Sequence, residues 1–170
     1  EILHISNKKI SKKDKPIVII GKGVTFDTGG VNIKPGNSMR NMKKDMGGAA
    51  IAISLFLMAN SLLKKAQIIL IIPMAENSVS GNSMRPGDIY TSSTGKKVEI
   101  SHTDAEGRLL LADAMELANN YDPSLIIDFA TLTGAARVAL GEDIPAYFSN
   151  DEDVAKKIDT LNQKKIRAWR

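Results

Sequence analysis

Seven charged side chains stand in the polar passages that follow the apolar runs of this 170-residue chain: Lys22, Asp27, Lys34, Asp45, Asp104, Glu106 and Arg108. Four are carboxylates, and few neutral donors accompany them. Carboxylates gathered in one place repel one another unless cations compensate. Two divalent ions would offset four such charges, and ion pairs roughly 3.5–4 Å apart are a known catalytic device. The chain has no cysteine, so any metal must be held by oxygen and nitrogen. Such a donor set accepts Zn²⁺, Mn²⁺, Mg²⁺ or Co²⁺.

Plainer roles compete at each position. Residues 102–109 read HTDAEGRL, and Thr103 with Glu106 fits a capping box opening a helix. If 103–106 are extended instead, Asp104 and Glu106 point to one side, ahead of a helix starting near Gly107. Arg108 then falls in the first helical turn, where a cation opposes the helix dipole and points to a bound anion. In MKKDMGGAA, Asp45 suits a helix N-cap. Gly47 and Gly48 weaken that helix, which argues for close packing beside it. The stretch VIIGKGVTFDTGG (18–30) looks at first like a phosphate cradle. Phe26 stands where the dinucleotide fingerprint needs its third glycine, no Gly-Lys-Ser/Thr occurs, and Asp27 repels phosphate.

The elements that must position these groups are legible as apolar runs. Strands are expected at 17–20, 66–74 and after Ser124, with a small hairpin around Gly95. Helices are expected at 46–63, 107–120, after Thr133, and at 151–168 with Val154, Ile158 and Leu161 on one face. Residues 24–44 read as a long polar passage, and the helix at 46–63 as deeply buried. The alternation predicts an α/β three-layer sandwich with a mixed, mostly parallel sheet and helices on both faces. Sites in such folds lie beyond the strand ends. No apolar run reaches the eighteen or so residues of a membrane helix. The net charge of +4 is diffuse, with Lys8, Lys9, Lys12, Lys13 and Lys15 at one end and Lys164, Lys165 and Arg167 at the other. Membrane insertion and DNA binding are therefore not expected.

The motifs GKGVTFDTGG, IKPGNSM, MKKDMGGAA, NSMRPGD, TDAEGRLLLADA and TLTGA resemble, in the same order, those of the leucyl (cytosol) aminopeptidases. These are two-metal enzymes that remove N-terminal residues from peptides. The likeness covers residues 17 to about 141, and His102 replaces the Asn of the family signature. The resemblance implies that Lys22, Asp27, Asp45, Asp104 and Glu106 are metal ligands, with Asp27 and Glu106 bridging. It implies that Lys34 and Arg108 are catalytic, Arg108 holding a bicarbonate that acts as general base toward a metal-activated water. Met42 and the segment from Thr131 to Gly134 would line the substrate site with Lys34. A lysine ligates a metal only as the neutral amine, so Lys22 is expected neutral and Lys34 charged. Two divalent ions (Mn²⁺ or Zn²⁺, with Mg²⁺ or Co²⁺ as others), peptide substrates led by leucine, a cytoplasmic location and a hexamer are implied likewise. Residues 1–170 are expected to be a partial C-terminal catalytic domain, poorly active by itself, in a protein with a separate N-terminal domain. Two other readings stay open: another two-metal hydrolase such as a phosphatase, and a DNA-binding role of the parent protein.

Overall fold

β-Branched residues fill the apolar runs, and in the computed structural model these runs become the strands of a central sheet. The structure describes residues 1–11, 13–162 and 167–170. The chain falls into two units, Glu1–Leu132 and Thr133–Arg170. The first unit holds β1 (Ile2–Ser6), β2 (Ile17–Gly21), β3 (Gly23–Asp27), β4 (Ile68–Asn77), a hairpin of β5 (Ile89–Thr91) and β6 (Lys97–Glu99), and β7 (Leu125–Phe129). The sheet runs β1-β4-β2-β7, with β3 also pairing β4. β1 lies antiparallel to β4, while β2 with β4, β2 with β7 and β3 with β4 are parallel.

Alternate side chains of β2 and β4 feed two separate cores, as strand periodicity requires. On one face, α1 (Gly47–Leu62) lays Ala49, Ala52 and Phe56 against Ile19, Ile68, Leu70 and Ile72. On the other, α2 (Glu106–Asn119) lays Leu111, Ala114 and Ala118 against Val18, Ile20, Ile69 and Ile71. These strand side chains are at most 2% exposed, and each buried Ile or Leu contributes about 1.5–3 kcal/mol. The expected three-layer arrangement with a mixed, mostly parallel sheet is what forms.

Four expectations change. β1 carries mostly exposed residues and gave no buried-strand signal. The passage after Gly23 begins as β3, where Gly23, Val24 and Asp27 are buried, and not as loop. α1 is less buried than its composition suggested: Ile51 is 53% exposed, Leu57 and Met58 60%, and Leu62 75%. The sheet covers one face of that helix, and these four side chains stand exposed. With the turn before it, the helical stretch Met42–Leu62 is 21 residues long and apolar enough, by length and composition, to cross a membrane. This departs from the expectation that no apolar run reaches that size.

The second unit contains α3 (Ala135–Leu140) and α4 (Glu152–Asn162). α4 covers the first part of the expected helix at 151–168; positions 163–166, with Lys164 and Lys165, lie outside the described residues, as does Lys12. Ala155 is buried on α4, Val154 and Ile158 are half-buried, and Leu161 is exposed. Ala146 bridges Trp169, and Arg170 pairs with Glu152.

Candidate functional site

Four mutually parallel strands deliver side chains to one edge of the sheet. Lys22 follows β2, Asp27 ends β3, Asn77 ends β4, and Thr131 lies just beyond β7. Asp45 comes from a 3-10 turn, Met42–Met46, that leads into α1. Asp104 sits in a second such turn, Thr103–Ala105, and Glu106 is the first residue of α2.

Lys22 is 2% exposed. Its Nζ lies 2.6 Å from Asp45 Oδ2, 3.1 Å from Glu106 Oε1 and 3.0 Å from the Thr131 carbonyl oxygen. Three acceptors match the three hydrogens of an ammonium, and this pairing offsets the cost of burying the charge. Its backbone is fixed as well: Lys22 N donates to Phe129 O at 2.9 Å, and Lys22 O accepts from Ala49 N at 2.9 Å. The lysine stem crosses α2 at Gly107, where a Cβ would come within 2.5 Å of Lys22 Cε. Gly48 answers a similar need, since a Cβ there would meet Phe129 O at 2.2 Å. That is the close packing the weak helix start implied.

Lys34 holds the remaining carboxylates. Its Nζ lies 2.8 Å from Asp27 Oδ2 and 2.6 Å from Asp104 Oδ1. Apart from this lysine, buried Asp104 Oδ1 has no partner among the described residues. Burial alone would lower the Lys34 pKa, but its contacts with Asp104 and Asp27 outweigh it and raise the pKa above the usual value. Burial likewise pushes the Asp27 carboxyl up, yet Lys34, the Gly29 N–H and the Asn77 amide together hold it below the ordinary range.

The plainer roles do not survive. Asp45 does not cap α1; Met46 holds that position without a side-chain bond. Asp45 Oδ1 instead accepts from Thr131 Oγ1 at 2.8 Å. Thr103 forms no capping box: its hydroxyl donates to Gly29 O at 2.6 Å and accepts from Asn32 N at 2.8 Å. Asn32 Oδ1 in turn accepts from Thr103 N at 2.8 Å. The turn before α2 is capped by His102, whose exposed ring accepts from Asp104 N through Nδ1 at 3.2 Å. Residues 103–105 are thus a tight turn rather than an extended segment, so Asp104 and Glu106 diverge. Asp104 goes to Lys34 and Glu106 to Lys22.

Asp27, Asp45 and Glu106 each offer an oxygen within 4.8 Å of the others. With Lys22 among them, these oxygens and one amine nitrogen suit a divalent ion of the hard or borderline kind. Asn77, which sequence reasoning passed over, donates to two of the three carboxylates. Arg108 is exposed in the first turn of α2 and has no carboxylate partner among the described residues. It lines a cavity of about 610 Å³ together with Asn77, His102 and Glu106. Met42 is half-buried in the turn that carries Asp45. Gly134 belongs to the second unit, at the start of α3.

The family model described as the cytosol aminopeptidase family, catalytic domain, matches residues 1–170. A protein named "Probable cytosol aminopeptidase" from Methylobacillus flagellatus is 43% identical over 171 residues, which is 100% of this chain and 34% of that protein. The crystal structure of a cytosol aminopeptidase from Coxiella burnetii superposes with a TM-score of 0.91 at 44% identity, covering 99% of this chain and 37% of that one. The bottromycin maturation enzyme BotP in complex with Mn superposes at 0.83 and 35% identity, covering 95% of this chain and 36% of that one. The chain thus spans about a third of the length of the relatives it matches.

Proposed function

Since the chain belongs to the cytosol aminopeptidase family, as part of the catalytic domain, we propose that it serves the release of N-terminal residues, leucine or similar, from peptides at a two-metal centre. The observation that carries this reading is the convergence of Asp27, Asp45 and Glu106 oxygens within 4.8 Å around a buried lysine. Lys22, Asp27, Asp45, Asp104 and Glu106 would hold the two cations, with Asp27 and Glu106 shared between them. Mn²⁺ is favoured by the Mn-containing neighbour, with Zn²⁺ as the other candidate. When bound, such ions polarise a scissile carbonyl and activate a water as nucleophile.

The chain's own groups do the rest. Lys22 would join the site as a neutral amine, its lone pair turned to the metal in place of its contacts with Asp45, Glu106 and the Thr131 carbonyl. Lys34 keeps its charge between Asp27 and Asp104, where an ammonium can stabilise the oxyanion that develops on the peptide carbonyl. Arg108, without a carboxylate partner, offers a planar fork that matches bicarbonate in two parallel hydrogen bonds. An anion held there would accept the proton from the attacking water. Met42 and Thr131 would line the substrate site. The complete protein is expected to assemble as a hexamer in the cytoplasm.

Metal analysis and assays of the complete protein test this on Leu-p-nitroanilide and a phosphomonoester. Two metals per chain and amide hydrolysis alone are expected, with both lost in Asp27→Ala and Glu106→Ala. If either variant keeps two metals and full activity, the shared-ligand assignment fails; turnover of the phosphomonoester alone would replace peptide with phosphate chemistry.

A further inference from the structure

Asn77 stands where the two lysine-held halves of the carboxylate cluster meet. Its side-chain nitrogen donates to Asp27 Oδ1 at 2.8 Å, to the Thr103 carbonyl at 3.0 Å and to Glu106 Oε2 at 3.2 Å. All three neighbours are acceptors, so the amide must face them with its nitrogen. Its backbone is tied down too. Asn77 pairs with Asp27 across β3 and β4, and its carbonyl accepts from both the N–H and the hydroxyl of Thr28 at 2.8 Å. The amide oxygen lies against Gly30, where a Cβ would come within 2.9 Å of it. The side chain is therefore boxed between a strand pair and a glycine.

The division of oxygens is orderly. Asn77 takes one oxygen of Asp27 and one of Glu106, leaving Asp27 Oδ2 to Lys34 and Glu106 Oε1 to Lys22. A lysine or arginine in this place would also neutralise the carboxylates. A neutral amide fixes their rotation and leaves their full charge for cations.

We propose that Asn77 is a positioning residue of the centre: one amide sets the orientation of the Asp27 and Glu106 carboxylates together, and so the spacing at which two cations can share them. This rests on the reading of Asp27 and Glu106 as shared ligands. Groups that orient metal ligands typically change metal affinity roughly 10–100-fold when removed.

The test uses the complete protein loaded with Mn²⁺, in Asn77→Leu, which keeps length but loses the donor, and Asn77→Ser, which stays polar but is too short to reach both carboxylates. Both are expected to bind the second Mn²⁺ roughly 10–100-fold more weakly by calorimetry. Their electron paramagnetic resonance should shift from the spin-coupled spectrum of a metal pair to the six-line spectrum of isolated ions. Melting of the metal-free protein should change little. Unaltered affinity with an unaltered coupled spectrum in either variant overturns the proposal. So does a loss of metal-free stability in both that accounts for all of the lost binding. A parent protein that binds no Mn²⁺ pair, or a Glu106→Gln variant that binds the pair as before, defeats the underlying reading instead.

Discussion

At Gly107 the α-carbon faces the stem of Lys22, and a methyl group there would overlap Cε at 2.5 Å. Gly107→Ala should therefore drive the lysine from its slot and cost about 1–3 kcal/mol, the usual range for an overpacked site. Denaturant unfolding of the metal-free protein measures it, and an unchanged midpoint would show that the helix shifts freely. Lys22→Met probes the same slot differently. It removes the cation while Asp45, 5% exposed, keeps its charge. Stripping one partner from a buried pair costs about 3–5 kcal/mol, so this variant should be the less stable of the two. The charged members of the cluster were legible in the sequence because charged residues at the ends of apolar strands are conspicuous. Asn32 and Asn77 were not, since the same loops hold many neutral polar residues and nothing local marks the few that reach inward; Thr103 stood out only as a helix cap, a role it does not play. The pairing was also hidden. Spacing alone could not show that Asp104 goes to one lysine and Glu106, two residues on, to the other.

The hairpin of β5 and β6 is fastened to α2 by one carboxylate. Asp113 accepts from the Tyr90 hydroxyl, from Ser93 N at 2.9 Å and from Ser93 Oγ at 3.0 Å. Burial pushes Asp113 up, but the Ser93 N–H and the Tyr90 and Ser93 hydroxyls together hold its carboxyl below the usual range. The hydrogen bond to Asp113, aided by burial, raises Tyr90 to about 12. A lowered acid contributes stability that is present above its unfolded value of 3.8 and lost as pH falls through the folded one. A raised phenol contributes stability that is present below 10.0 and lost as pH rises toward about 12. Amide-exchange protection in 89–99, taken relative to the intrinsic rate at each pH, should thus be greatest between these limits and fall outside them. Tyr90→Phe should abolish the alkaline arm, remove the tyrosinate absorbance step near 12, and cost about 0.5–1.5 kcal/mol. An exchange profile identical to the parent's above pH 10 would disprove the latch. Elements were readable where burial is two-sided, as in β2 and β4, whose uniform apolar runs fit no other state. β1 and β3 escaped because they border the sheet or end it, with exposed or glycine-bearing positions that dilute the pattern. The depth of α1 was overestimated for the opposite reason: composition shows what a helix can bury, not how many neighbours it has.

At the scale of the whole molecule, the cluster carries more negative than positive charge, with four carboxylates facing Lys22 and Lys34. A folded chain that binds cations where the unfolded one does not gains about 2.7 kcal/mol at a hundredfold excess over Kd. Adding Mn²⁺ should therefore raise the melting temperature by several degrees and a chelator should reverse it, whereas Asp45→Asn should show neither response. An equal rise in that variant would place the ions elsewhere. The same cluster has a history along the chain. Lys22 bonds Asp45, 23 positions away; Asn77 reaches 50 positions back to Asp27; Thr103 meets Asn32 across 71, and the Thr131 carbonyl meets Lys22 across 109. Each of these closures costs loop entropy that only the assembled sheet recovers. On a ribosome the centre therefore stays unformed until Thr131 has emerged. The order of synthesis itself thus sets the earliest point at which all of these contacts can exist together, and with it the earliest point at which cations could meet the spaced ligands.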